Sequence, residues 1–327
     1  MSKLILNRLW LPILALLILA AACGGGDDDD DGDDRQTPQE TATQGATPAE
    51  SEEGTAFPLD LERSDGETLT IELEPQRIVS LDSSATEILY AIGAGDQVVA
   101  ADLFSNYPAE AEAKARLDAF QPSAEAILNE RPDLVLVFDD ATGVVGTLDD
   151  LGARVLYLEV PDSLDGIYER IDLYGQITGH EQEAAELVES MTARVDTVLQ
   201  TIAEVAEGPR VFHELDNTLF TISSDSFLGD LYVLLKAENI AADAADAFPQ
   251  MTAEAVIEAD PEVIILADEE FGEDIDTVSA RPGWNVISAV QSGRVHGVNP
   301  DIASRPGPRI VDLLEQLAAL LYPELFT

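Results

Sequence analysis

The 327-residue sequence has one cysteine, three histidines and three lysines. A lone thiol, Cys23, excludes a disulfide within the chain and a thiolate metal cluster. Histidines at 180, 213 and 296 are too few for the tight His and carboxylate cluster of a zinc or manganese centre. Asp82, Ser83 and Ser84 have no histidine in their half of the chain to activate a hydroxyl. Gly93-Ala94-Gly95-Asp96 closes a predicted helix rather than opening one, so it is not a phosphate-binding loop. No enzyme, resident metal or cofactor is expected. Positive charge is also scarce: 17 Lys plus Arg face 64 Asp plus Glu, a net charge of −47. Phosphate backbones need the opposite sign, which excludes nucleic acid as a partner. The carboxylate-rich, lysine-poor composition points to a salty habitat.

What is present begins at the amino terminus. Lys3 and Arg8 precede an apolar run, Leu9 to Ala22, that is short for a membrane span and ends at Cys23. This resembles a bacterial lipoprotein signal, which implies lipidation at Cys23 and an exported protein anchored on the outer face of the cytoplasmic membrane. Gly24 to Phe57 is Gly, Asp, Thr, Pro and Glu with almost no large apolar residue. Such a stretch does not bury enough surface to offset ordering, so a disordered acidic tether is expected. Residues 58–327 still hold 14 Lys plus Arg against 53 Asp plus Glu. The expected organisation is a signal over 1–23, a tether over 24–57, an α/β lobe over 58–178, a connecting helix over 179–207 and a second α/β lobe over 208–327.

The two lobes are read from an internal repeat. Ser123-Ala124-Glu125-Ala126-Ile127-Leu128 precedes Pro132-Asp133-Leu134-Val135-Leu136-Val137, and Thr252-Ala253-Glu254-Ala255-Val256-Ile257 precedes Pro261-Glu262-Val263-Ile264-Ile265-Leu266. In each copy a hydroxyl caps a short helix, a proline stops it, and an apolar run reads as a strand buried on both faces of a parallel sheet. Arg77-Ile78-Val79-Ser80 and Arg210-Val211-Phe212-His213 form a weaker upstream pair, with helices predicted over 86–92 and 227–235. Between the copies, Leu187, Met191, Val195, Val198, Ile202 and Val205 recur at spacings of three and four. They predict one helix over 181–206, after an earlier helix from Leu164 that ends at Gly179. The fold class expected is α/β, with two similar lobes of mostly parallel sheet joined by one long backbone helix.

Several motifs follow in order: Arg77-Ile78-Val79-Ser80-Leu81, Thr86 to Gly93, Asn106-Tyr107-Pro108, Arg131-Pro132-Asp133, Pro282-Gly283-Trp284, Ala289 to Val295, and Arg305-Pro306-Gly307-Pro308-Arg309-Ile310. In this order they resemble the ABC-importer binding proteins for ferric siderophores, haem and cobalamin, a helical-backbone (class III) periplasmic-binding family, and most nearly its cobalamin-binding members. The resemblance implies a monomer that delivers a small metal chelate to a permease dimer. It implies that Glu125 and Glu254 dock on permease arginines, and the repeat independently gives both lobes the same exposed acid.

It also implies a ligand between the lobes, reached by loops at the carboxyl ends of the strands. Those loops offer Phe104, Asn106, Tyr107, Phe120 and Phe138 with Asp139 and Asp140, and from the other lobe His213, Glu214, Phe220, Phe248 and Arg305. Phe104, Phe138 and Phe248 fall where cobalamin binders place an aromatic against the corrin; Ala119 replaces a tryptophan expected before Phe120. A ferric siderophore, usually anionic, would need converging arginines. Arg305 is the candidate, Arg309 reads as structural, and the first lobe offers none, since Arg116 and Arg131 sit on helical or turn segments. A corrinoid therefore leads, with a ferric siderophore as the alternative and haem, through His213, as a third.

Overall fold

The structure, a computed structural model, describes residues 57–269 and 272–326, all within one unit, Glu52–Thr327. The expected signal, Cys23 and the tether up to residue 56 lie outside the described residues. The strands are β1 Leu59–Glu62, β2 Thr68–Ile71, β3 Ile78–Leu81, β4 Val98–Asp102, β5 Ala115–Leu117, β6 Leu134–Val137, β7 Val155–Tyr157, β8 Arg210–Glu214, β9 Glu238–Asn239, β10 Val263–Leu266 and β11 Val295–Gly297. The helices are α1 Ser83–Ala91, α2 Ala124–Asn129, α3 Val144–Asp150, α4 Leu164–Thr178, α5 Glu181–Thr201, α6 Phe227–Leu234, α7 Ala253–Ala259, α8 Ile275–Ser279, α9 Ser288–Ser292, α10 Pro300–Ala303 and α11 Ile310–Leu321.

Two parallel sheets, of five and four strands, share a four-strand order, β4-β3-β6-β7 matching β9-β8-β10-β11. The first runs β5-β4-β3-β6-β7 and the second β11-β10-β8-β9, so β3 and β8 hold matching central places. The 129-residue repeat is visible in atomic detail. Ser123 Oγ accepts from Ala126 N at 3.3 Å, and Thr252 Oγ1 accepts from Ala255 N at 3.2 Å, each satisfying a donor that the first helical turn leaves open. Both helices end on a non-glycine residue in the left-handed region, Arg131 (φ 51°) and Asp260 (φ 47°). Their carbonyls accept from the arginine that opens the neighbouring strand: Arg77 Nε to Arg131 O at 3.0 Å and Arg210 Nε to Asp260 O at 3.1 Å. The carboxylates of Asp133 and Glu262 in turn accept from the backbone amides of Arg77 and Arg210.

The apolar runs β3, β6 and β10 are buried throughout, as strands covered on both faces require. Each sheet packs one face on its own small cluster: Val79, Leu81 and Val135 in the first lobe, Phe212, Ile264 and Trp284 in the second. The other faces share one continuous apolar cluster with α1, α4, α5, α6 and α11. The backbone helix α5 has 21 residues, about 30 Å at 1.5 Å per residue. Met191, Val195 and Val198 along its predicted stripe are buried. It ends at Thr201, short of the expected residue 206. Lys236 Nζ takes the carbonyls of Ile202, Ala203 and Val205 at 2.8–3.0 Å, and these turn away from helical pairing to meet it. Arg194 of α5 bridges to Asp312 and Glu315 of α11, which binds the carboxyl-terminal helix to the backbone helix.

Candidate functional site

The carboxyl ends of β3, β4 and β6 open on a cavity of 260 Å³, bordered on its far side by the segment that holds α10. Phe104, Phe120 and Phe138 line it and meet edge to face. The Phe104 and Phe120 ring centres lie 5.5 Å apart at 76°, and those of Phe120 and Phe138 lie 6.1 Å apart at 88°. Alternating ring edges against ring faces is the favoured quadrupolar arrangement, and it holds three large rings as one wall. Phe104 and Phe120 remain half exposed. Ala119 lines the wall where a larger side chain would fill it.

Arg305 also reaches the cavity, but its guanidinium is already committed. Nη1 donates to Glu87 Oε1 at 3.1 Å and to Asn106 Oδ1 at 2.7 Å; Nη2 donates to Phe104 O at 2.9 Å and to Asp301 Oδ1 at 2.6 Å. Asn106 Nδ2 closes the ring of contacts on Asp301 at 2.7 Å. Glu87, only 3% exposed, is shared with Arg309, whose Nε donates to Oε2 at 2.9 Å. The Arg309 guanidinium carbon sits 4.1 Å from the Tyr107 ring centre. This network joins α1 and the Phe104–Tyr107 loop to the carboxyl-terminal segment.

These contacts correct several expectations. Arg305 lines the cavity as expected, but both of its terminal nitrogens are used in bracing the aromatic wall. Asn106 is spent on Arg305 and Asp301. Tyr107 stacks on Arg309 beside a separate groove formed with Leu187, Met191 and Arg194 of α5. His213 is 0% exposed, with Nδ1 2.8 Å from the Tyr232 hydroxyl, and burial pushes its pKa down to about 4, so it faces the core as a neutral ring. Glu214 is buried too, held by both Nη atoms of Arg281 at 2.6 Å each. Successive residues of β8 point to opposite faces of a sheet covered on both sides, which removes the two side chains from the cavity. Phe220 and Phe248 lie on adjoining segments, joined by Thr221 N to Pro249 O at 2.9 Å, and both are partly exposed. Neither lines the 260 Å³ cavity.

The cavity holds residues that the sequence motifs did not reveal. Asp82, Ser83, Ser84 and Asp102 form a polar floor, and Arg170 reaches it from α4. Arg170 sits mid-helix with no local signature; only the packing of α4 across the lobe brings it there. Among the described residues, no three His, Cys, Asp or Glu side chains converge to hold a metal ion. No helix of the described residues is long and apolar enough to cross a membrane. Glu125 and Glu254 are exposed in the first turns of α2 and α7, remote in sequence yet identical in setting.

Comparison with known proteins gives a consistent result. A family model described as periplasmic binding protein matches residues 78–301. An uncharacterized ABC transporter substrate-binding lipoprotein, YvrC of Bacillus subtilis (strain 168), is 32% identical over 278 residues, covering 83% of this chain and 87% of that protein. A cobalamin-binding protein of Halobacterium salinarum is 27% identical over 280 residues, covering 83% of this chain and 76% of its own length. The crystal structure of the periplasmic vitamin B12 binding protein BtuF of Vibrio cholerae superimposes with a TM-score of 0.67 at 28% identity, covering 76% of this chain and 97% of that one.

Proposed function

The chain belongs to the periplasmic binding protein family, and from that premise we propose that it is the extracytoplasmic solute-binding component of an ABC importer whose cargo is a corrinoid. The observation that carries the cargo assignment is the Phe104–Phe120–Phe138 wall, a broad aromatic surface suited to a flat, largely neutral macrocycle. The electrostatics agree. Arg305 is neutralised by Glu87 and Asp301, so a polyanionic chelate finds few uncommitted cations in the cavity. The similarity to cobalamin-binding relatives supports the same reading. The alternative is a ferric siderophore of low charge, which the same wall would accept. Purified protein mixed separately with cyanocobalamin, haem and a ferric hydroxamate, then passed through gel filtration, distinguishes these by absorbance. Cyanocobalamin should co-elute; if no chelate does, the cargo class is wrong.

Delivery would use the two repeated acids. Glu125 and Glu254 present one carboxylate per lobe, which suits a two-fold permease dimer gripping both lobes at once. Glu125→Arg with Glu254→Arg should abolish uptake in cells while leaving chelate binding intact, and undiminished uptake would remove the assignment. Anchoring through Cys23 completes the reading: Cys23→Ala should release the protein from the membrane and end labelling by radioactive palmitate.

A further inference from the structure

The floor of the cavity carries two opposite charges from different elements. Asp82 caps α1, with Oδ1 accepting from Ser84 N at 2.8 Å. Arg170 enters from α4, where Nη2 donates to Glu159 O at 2.8 Å and the guanidinium carbon lies 6.0 Å from the Tyr174 ring centre. Both side chains border the same cavity. Burial raises the Asp82 pKa, and the field of Arg170 opposes that rise, so the two are electrostatically coupled. Yet they do not close on each other as an ion pair, unlike Arg305 with Glu87.

The remaining charged groups on the cavity are used internally. Asp102 accepts from Phe104 N and from the Ser105 hydroxyl. Asp301 and Arg305 satisfy one another and Asn106. Asp82 accepts from the backbone amides of Ser84 and Ala85, and Arg170 also bonds the Tyr174 hydroxyl; both charged groups still border the cavity with no ion pair between them.

A separated acceptor and donor complement a ligand group that carries one of each. A primary carboxamide does: its NH2 donates to a carboxylate and its C=O accepts from a guanidinium. A carboxylate in the same place would suit Arg170 but meet the charges of Asp82 and Asp102. A cation would suit Asp82 but face Arg170, and an ester would offer Asp82 no donor. We infer that Asp82 and Arg170 form a split clamp that selects the ligand by a primary carboxamide on its periphery. The inference rests on the corrinoid reading for its probe, because the corrin ring bears primary carboxamide side chains.

The test titrates the full folded protein by calorimetry with cyanocobalamin and with its separated monocarboxylic acids, in which single side-chain amides are hydrolysed. At least one monocarboxylate should bind wild-type protein about tenfold or more weakly, the effect of one charged hydrogen bond turned to repulsion. Asp82→Asn keeps an N-cap acceptor while removing the charge, and it should shrink that discrimination to within about threefold, one lost charge contact. Arg170→Met should weaken cyanocobalamin itself by about tenfold. Circular dichroism confirms that each variant is folded, and Asp82→Asn carries the test if Arg170→Met does not fold. Cyanocobalamin binding with wild-type discrimination in Asp82→Asn overturns the clamp alone. No cyanocobalamin binding by the wild type overturns the corrinoid reading, and the clamp with it.

Discussion

A guanidinium whose two terminal nitrogens each make two hydrogen bonds acts as a strut. Arg305→Ala would leave Glu87 buried with Arg309 as its remaining partner and would free the Phe104 carbonyl. The expected cost is about 2–3 kcal/mol, a fall in Tm of roughly 5–10 °C, with weakened cyanocobalamin binding as the wall loosens. Unchanged Tm with binding lost would mean that Arg305 is a ligand contact after all. Two buried groups of the second lobe make an opposed pair. His213 titrates near 4 against an ordinary 6.5, so its contribution to stability is complete above 6.5 and is lost as pH falls toward 4. Asp268, buried beside Glu214 with neither oxygen bonded, is pushed up to about 6 from 3.8; folding favours its neutral form, and stability falls as pH rises through that interval. Each effect is on the order of 3 kcal/mol, and the opposite slopes offset one another between pH 4 and 6. Asp268→Asn should therefore expose a stability that climbs with pH, and His213→Gln one that declines. Parallel slopes in urea unfolding of the two variants would contradict the assignment. None of this was legible in the sequence: His213 next to Glu214 reads the same whether β8 turns the pair to a cavity or into two covered faces.

Elements were far more legible than contacts, because their causes are local. Ser123 and Thr252 announce helix starts, Gly179 announces the turn between α4 and α5, and the β6 and β10 runs announce buried strands. The end of α5 was misplaced because Lys236, more than thirty positions on, decides it. The same distinction governs glycines inside helices. At Gly175 an added Cβ would lie 2.5 Å from the Ala184 Cβ and 3.1 Å from His180 O, since α4 and α5 approach closely there. Gly146 in α3 has nothing within 4 Å. Gly175→Ala should lower stability by about 1–3 kcal/mol through overpacking, whereas Gly146→Ala should raise it by up to about 1 kcal/mol through helix propensity. Calorimetry on the two variants decides it, and a stabilising Gly175→Ala would show that the helices can part without cost.

At the scale of the whole molecule, the repeat makes the two-lobed α/β architecture readable in the sequence. It did not reveal that both sheets lean on one continuous apolar cluster with α5 and α11, because that cluster is assembled from segments far apart in sequence. A shared core of this kind favours small lobe movements over wide closure. Charge is the other global property. With 14 Lys plus Arg against 53 Asp plus Glu, a net −39 over residues 58–327, the folded state works against its own repulsion. Raising NaCl from 0.1 to 1 M shortens the screening length from about 10 to about 3 Å, and Tm should rise by several degrees in a calorimetric series. A salt-independent Tm would mean that the acids are already offset locally.

The shortage of lysine has a practical side. Within residues 58–327 the chain has two primary amines on side chains, Lys114 in the first lobe and Lys236 in the second. Lys114 gives one hydrogen bond, to Gly95 O, while Lys236 gives three. On the form processed and acylated at Cys23, which lacks Lys3 and a free amino terminus, mild acylation should tag Lys114 first and Lys236 more slowly, placing a donor and an acceptor dye on opposite lobes in two steps. The native sequence thus provides a ruler for lobe separation by energy transfer, with cargo added or withheld and no residue replaced.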